Sequence, residues 1–157
     1  MKEKMFFQVL EERRSVRKFN SIKIDKAMVK KIIDVCDSSP SAGGLQSFEI
    51  YCVGNPEIKK QIVRASMDQE FIAEAPLLLV FCANPTRSSK YGKKAELFSI
   101  QDATIATSYA QLTACALGLS SVWVGAFNEE KVSTILSLPD NIIPIALLPI
   151  GYKDEEP

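Results

Sequence analysis

Apolar residues recur at helical spacing in five stretches of the chain and form four short, nearly continuous runs between them. Over 5–12, Met5, Phe6, Val9 and Leu10 mark one face of a short helix. Asp25 is placed to cap a second helix, carrying Met28, Val29, Ile32, Ile33 and Cys36, which Pro40 terminates. The run FEIYCV over 48–53 reads as a strand. Asn55 and Pro56 then open a third helix that buries Ile58, Ile62 and Val63. LLLVFC over 77–82 has strand length and no polar break, so it predicts a central strand covered on both faces. A long helix over 96–117 ends at Gly118, placed for a left-handed cap, and its Ala, Ser and Thr residues allow another helix to approach closely. A third strand over 121–125, a helix capped by Asn128 with Val132, Ile135 and Leu136, and a fourth strand over 142–150 complete the pattern. Pro144 and Pro149 push that last strand toward an edge or toward places that need no ladder donor. The expectation is one α+β domain over 1–157, a mostly antiparallel or mixed sheet flanked by helices, with the long helix at a dimer core.

Composition narrows what such a domain does. With 157 residues, folding buries about 69% of the surface of the unfolded chain, enough for one core. At 46% hydrophobic and 24% charged the chain is neither disordered nor fibrous. Nineteen basic residues balance nineteen acidic ones, so no net field favours nucleic acid or an anionic membrane. Histidine is absent, which removes the imidazole of zinc sites, catalytic triads and proton shuttles. Cys36, Cys52, Cys82 and Cys115 stand singly in apolar stretches and read as reduced core residues. Charged residues break the first ten positions, and the run over 103–119 is short and polar for a membrane span, so the sequence predicts a cytoplasmic protein.

Three segments carry candidate chemistry. Arg13, Arg14, Ser15 and Arg17 follow the first helix directly, and three guanidinium forks with a hydroxyl suit a phosphate. A solvated charged turn balanced by Glu11 and Glu12 is the alternative. In the loop Pro40, Ser41, Ala42, Gly43, Gly44, Leu45, Gln46, small residues let a planar ligand approach backbone amides, and Gln46 offers a donor and an acceptor; a plain helix-to-strand connection would look the same. Val124, Gly125 and Ala126 lie at a strand end before a helix, where two N–H groups could address the acceptor edge of a ring. A turn glycine beside a core Trp123 is the plainer reading.

RRSVRKF near the start, SPSAGGLQSFEIYCV after the second helix, ALGLSSVWVGAFNEE after the long helix and the closing PIALLPIGY, in that order, resemble the nitroreductase family. The resemblance covers nearly the whole chain and implies a homodimer binding FMN at the subunit interface. It implies electron transfer from NADH or NADPH to a nitroaromatic, quinone or similar small acceptor; a flavin carrier or sensor without efficient turnover is the alternative. By position it implies that Arg13, Arg14, Ser15 and Arg17 contact the phosphate, the ribityl chain and the N1/O2 edge of FMN. It implies that Pro40, Ser41, Ala42, Gly44 and Gln46 reach over the flavin from the partner subunit, and that Val124, Gly125 and Ala126 address N5 and O4. No protein base is implied, because the cofactor carries the chemistry. The chain departs from the family with Gly44 where Asn is frequent and Ser47 where Pro is frequent. It also has a short segment over 84–94, and Asp154, Glu155 and Glu156 where many members are basic. Arg13 and Arg17 are then expected to carry more of the phosphate charge.

Overall fold

The structure is a computed structural model and describes residues 3–154; the ends of the expected domain, with Glu155 and Glu156, lie outside the described residues. Alternation along two strands builds the architecture. In β2 (Leu77–Ala83), Leu78, Val80 and Cys82 enter one core while Leu79 and Phe81 enter the other. In β4 (Ile143–Gly151), Leu147 joins the first core, and Ala146, Leu148 and Ile150 join the second. With β1 (Phe48–Val53) and the short β3 (Ser120–Ser121) they form an antiparallel sheet of order β1-β2-β4-β3. The expected α+β class, the antiparallel sheet and the central, doubly covered β2 are all observed.

Helices cover both faces. On one side α3 (Pro56–Arg64), α4 (Phe71–Glu74) and α6 (Glu129–Ile135) bury Ile62, Val63, Ile72 and Val132. On the other, α2 (Lys26–Asp37) contributes Ile32 and Cys36, and α5 (Ala95–Ala116) contributes Ala103, Ala106, Ala110 and Ala114. The small face of α5 is therefore spent on its own sheet and α2, because alanine lets the helix axis sit close; its outward face carries Leu97, Gln101 and Tyr109. Asp25, Asn55 and Asn128 cap their helices as the sequence predicts, each accepting a backbone N–H, and Gly118 ends α5 with φ 80°.

Four expectations change. β4 is internal, between β2 and β3: Pro144 is tolerated because it stands opposite Cys82 where the register slips, and Pro149 contributes only its carbonyl, to the Val122 N–H. The third strand is two residues long, followed by a separate bridge between Val124 and Leu147. In α1 (Phe6–Glu12) only Val9 is buried, whereas Met5, Phe6, Phe7 and Leu10 are exposed, Phe7 at 75%. Cys52 is exposed on β1, unlike the other three cysteines.

Candidate functional site

The chain leaves α1 at Arg13 and runs beside β3. Ser15 bridges Ser121 in parallel, Val16 donates its N–H to the Ser121 carbonyl at 3.0 Å, and Val16 and Phe19 are buried. At the other end of the chain Lys153 pairs with Phe19, and Asp154 donates its N–H to the Lys18 carbonyl at 2.9 Å. Gly151 makes this approach possible, since a Cβ there would sit 2.6 Å from Pro76 Cδ and 3.1 Å from Phe19 Cδ1.

These contacts close a cleft of about 310 Å³. Lys4, Arg13, Arg14 and Lys153 line it with Glu12, and Ser120 and Ser121 belong to its wall. Lys4 and Glu12 are ion-paired, which raises the Lys4 pKa and lowers that of Glu12. Among the described residues that line the cleft, four are cations and one is a carboxylate, a positive excess beside the roughly half negative charge at the C-terminus of α5. Two planar forks and two ammonium groups are a donor set that fits a phosphate monoester. Ser15 adjoins the cleft through its backbone bridge, while Arg17 is exposed and outside the cleft lining. Lys4 and Lys153 were missed in the sequence, because nothing local joins position 4 to position 153; the register between Phe19 and Lys153 does.

Residues 120–126 run along β4 away from this cleft. Val124 exchanges both of its backbone hydrogen bonds with Leu147, at 2.9 and 3.0 Å, so its N–H is committed to the sheet. Gly125 and Ala126 are exposed, and neither N–H has a hydrogen-bond partner among the described residues. Four residues of extended chain place them about 13 Å from Ser121. One strand edge thus offers cations at one end and open donors at the other. Trp123 packs against the second core.

The loop over 40–46 lies elsewhere. Pro40 and Gly44 are exposed, while Ser41, Ala42 and Gln46 are half-buried. Gly43, Gly44 and Gln46 adopt φ of 61°, 65° and 43°. Its amides turn inward instead of toward a ligand: Ala42 donates to Asp102 Oδ1 at 3.0 Å, Gln46 to Ser41 Oγ at 3.0 Å, and Ser47 to Asp102 Oδ2 at 3.2 Å. The Gln46 side chain is likewise engaged, donating to the Ser39 carbonyl at 3.2 Å. Ser47 stands where proline, with no N–H, could not make its bond. From the segment over 85–94, Arg87 donates to the carbonyls of Gln46 and Phe48 at 3.0 and 3.1 Å, and Tyr91 Oη lies against Gly43. The backbone is thus held within the protein, and the surfaces of Gly43 and Gly44 face outward. Asp102 and Arg87 were also missed, their partners being distant in sequence.

The model of the nitroreductase family matches residues 10–83 and 65–152. The chain belongs to that family. This nitroreductase relative is 30% identical over 148 residues, covering 92% of this chain and 83% of the other, to a protein of Archaeoglobus fulgidus provisionally named an NADH dehydrogenase/NAD(P)H nitroreductase. It is 29% identical to an NAD(P)H FMN reductase of Bacillus subtilis, covering 91% of this chain but 64% of that one. Among solved structures it superimposes on an FMN-dependent nitroreductase of Clostridium difficile with TM-score 0.84 and 28% identity, covering 96% of this chain and 89% of that one. Among the described residues no helix is long and apolar enough to cross a membrane, and no acidic or cysteine cluster could hold a metal ion.

Proposed function

We propose that this nitroreductase-family chain is an FMN-dependent oxidoreductase that takes electrons from NADH or NADPH and passes them to a small acceptor, a nitroaromatic, a quinone or a compound like them, and that its flavin sites lie between two copies of the chain. The cationic cleft is the observation that carries the cofactor: in a chain with no net charge, four cations converge where a phosphate monoester would sit. Bound FMN supplies the two-electron chemistry, receiving hydride from the nicotinamide and releasing electrons to the acceptor. Arg13, Arg14, Lys4 and Lys153 hold the phosphate, with Ser15 and Arg17 beside them toward the ribityl chain. The N–H groups of Gly125 and Ala126 orient the ring edge, while Val124 fixes that segment to the sheet. Pro40, Ser41, Ala42, Gly44 and Gln46 belong to the loop that covers the ring from the partner. The names of the relatives support the same activity.

A separation along α5 supports the assembly. Asp102 holds the loop and Cys115 lines the cleft, both on α5, and thirteen residues at 1.5 Å each separate them by about 20 Å. Under this reading a two-fold axis brings one copy's loop to the ring end of the other copy's cleft. The exposed apolar face of α1 supplies a surface for that contact. Free thiols among the described residues accord with a reducing compartment, the cytoplasm.

The test is a visible spectrum of the purified protein with FMN added and the excess removed, followed by anaerobic NADH or NADPH. Retained flavin bands that bleach with a nucleotide support the reading. Bound flavin that does not bleach favours a carrier or sensor, and a protein that refuses FMN contradicts the cofactor assignment.

A further inference from the structure

We infer that Asp102 is a positioning residue for the flavin loop, a buried side chain whose two accepted hydrogen bonds hold that loop in its binding shape before any ligand arrives. The inference rests on the flavin reading above. Asp102 is 2% exposed, the one charged residue on a buried face of α5 that otherwise carries Ala, Ser, Thr, Gln111 and Cys115, and none of the salt bridges among the described residues includes it. A carboxylate in that setting is costly, and packing alone would be better served by an apolar residue of similar size. What it does that an apolar residue cannot is accept two N–H groups at once, from Ala42 and Ser47, which bracket the left-handed Gly43, Gly44 and Gln46.

Arg87 holds the end of the loop and the start of β1, donating to the carbonyls of Gln46 and Phe48. Donors are thus drawn toward α5 and acceptors toward the 85–94 segment. Between these two grips the strained turn keeps one shape, with the glycine surfaces outward. A loop fixed in this way pays its ordering cost during folding and not on binding. Because the loop covers the ring and not the phosphate, the effect falls on any flavin, phosphorylated or not.

Asp102→Asn tests this. The amide keeps the volume and one acceptor, but sets an NH₂ group against one of the two N–H donors. The dissociation constants of FMN and of riboflavin both rise by at least about tenfold, by the same factor, so that their ratio stays at the wild-type value. Far-UV circular dichroism establishes that the variant is folded. A folded variant with a lower melting temperature but wild-type flavin constants would make Asp102 purely structural and overturn the inference. Where the variant does not fold, amide exchange in the flavin-free wild-type protein decides. Slow exchange at Ala42 and Ser47 supports a loop held before binding, and fast exchange that slows only on adding FMN overturns it. If wild-type protein binds neither flavin, the cofactor reading itself has failed, an outcome distinct from normal wild-type binding with an unaffected variant.

Discussion

Asp102 and Cys115 lie on one helix about 20 Å apart, the first holding the glycine loop and the second lining the cationic cleft. Under the proposed function, the loop and the cleft of one chain therefore serve two different flavin sites. The exposed Phe6 of α1 lines an apolar groove of about 490 Å³ together with Val9, Tyr109 and Leu112, a surface suited to a second copy. Phe6→Asp should weaken the dimer by at least about a hundredfold, since a two-fold contact loses the buried ring twice. Sedimentation of the variant as a monomer of 17.4 kDa that has also lost its flavin is the expected result. A dimer that persists with flavin bound places the contact elsewhere.

Under the proposed function, Lys4, Arg13, Arg14 and Lys153, which line one cleft, share the phosphate charge. Arg13→Gln and Lys153→Gln should each raise the FMN dissociation constant by about ten- to a hundredfold and leave that of riboflavin nearly unchanged. The affinity for FMN should also fall with salt more steeply in the wild type than in either variant. Arg17→Ala should weaken FMN retention through the ring or ribityl end, and therefore riboflavin as well; unchanged affinity for both would remove Arg17 from the site.

What the sequence made legible was local. Asp25, Asn55 and Asn128 announce helix starts because a short acceptor side chain meets its own helix's N–H within three residues. Gly118 announces a helix end because it tolerates φ 80°. Pro144 and Pro149 left an edge or a place without a ladder donor open, and the second holds: Pro144 sits at a register slip opposite Cys82 in an internal strand. Met5, Phe6 and Leu10 share a face with the buried Val9 yet are exposed, because periodicity shows that an apolar face exists and not what covers it. The motif order located Arg13, Arg14 and the 40–46 loop. Lys153, Asp102 and Arg87 meet their partners only through contacts between residues far apart in the chain, which no local pattern encodes, and Lys4 is drawn in by its ion pair with Glu12 across α1.

Thiol chemistry should single out Cys52. Burial pushes the thiols of Cys36 and Cys82 up to about 12, so both stay protonated and unreactive at pH 8. Cys52 is exposed on the edge strand, with its pKa also raised by partial burial. Iodoacetamide at pH 8 should add one label to the native protein, on Cys52, at a rate still climbing above pH 9. Mass spectrometry of the labelled protein that found the adduct on Cys36 or Cys82 would contradict the packing described.

Stability should follow the two cores and the caps. Leu79→Ala, in the second core, should cost about 2–5 kcal/mol, and Asn55→Ala, which removes the acceptor for the N–H groups of Glu57 and Ile58, about 1 kcal/mol. Gly43→Ala should cost about 1–2 kcal/mol, because its φ of 61° disfavours any side chain and the added methyl meets Tyr91 Oη. Urea unfolding of the three variants orders them, and a Gly43→Ala protein as stable as wild type would mean that the loop is not held in the shape described.

Complementation in mixed dimers tests the central claim most directly. One chain carries Arg13→Glu and Arg14→Glu, the other Asp102→Asn, and differently tagged copies are purified as a heterodimer before titration with FMN. If each site takes its cations from one copy and its loop from the other, both defects fall in the same site and the second site is intact. One FMN per heterodimer is then expected, bound with wild-type affinity, where either parental homodimer binds weakly at both sites. Two impaired sites, each with one parental defect and neither binding with wild-type affinity, would show that loop and cleft act within a single chain and would contradict the account.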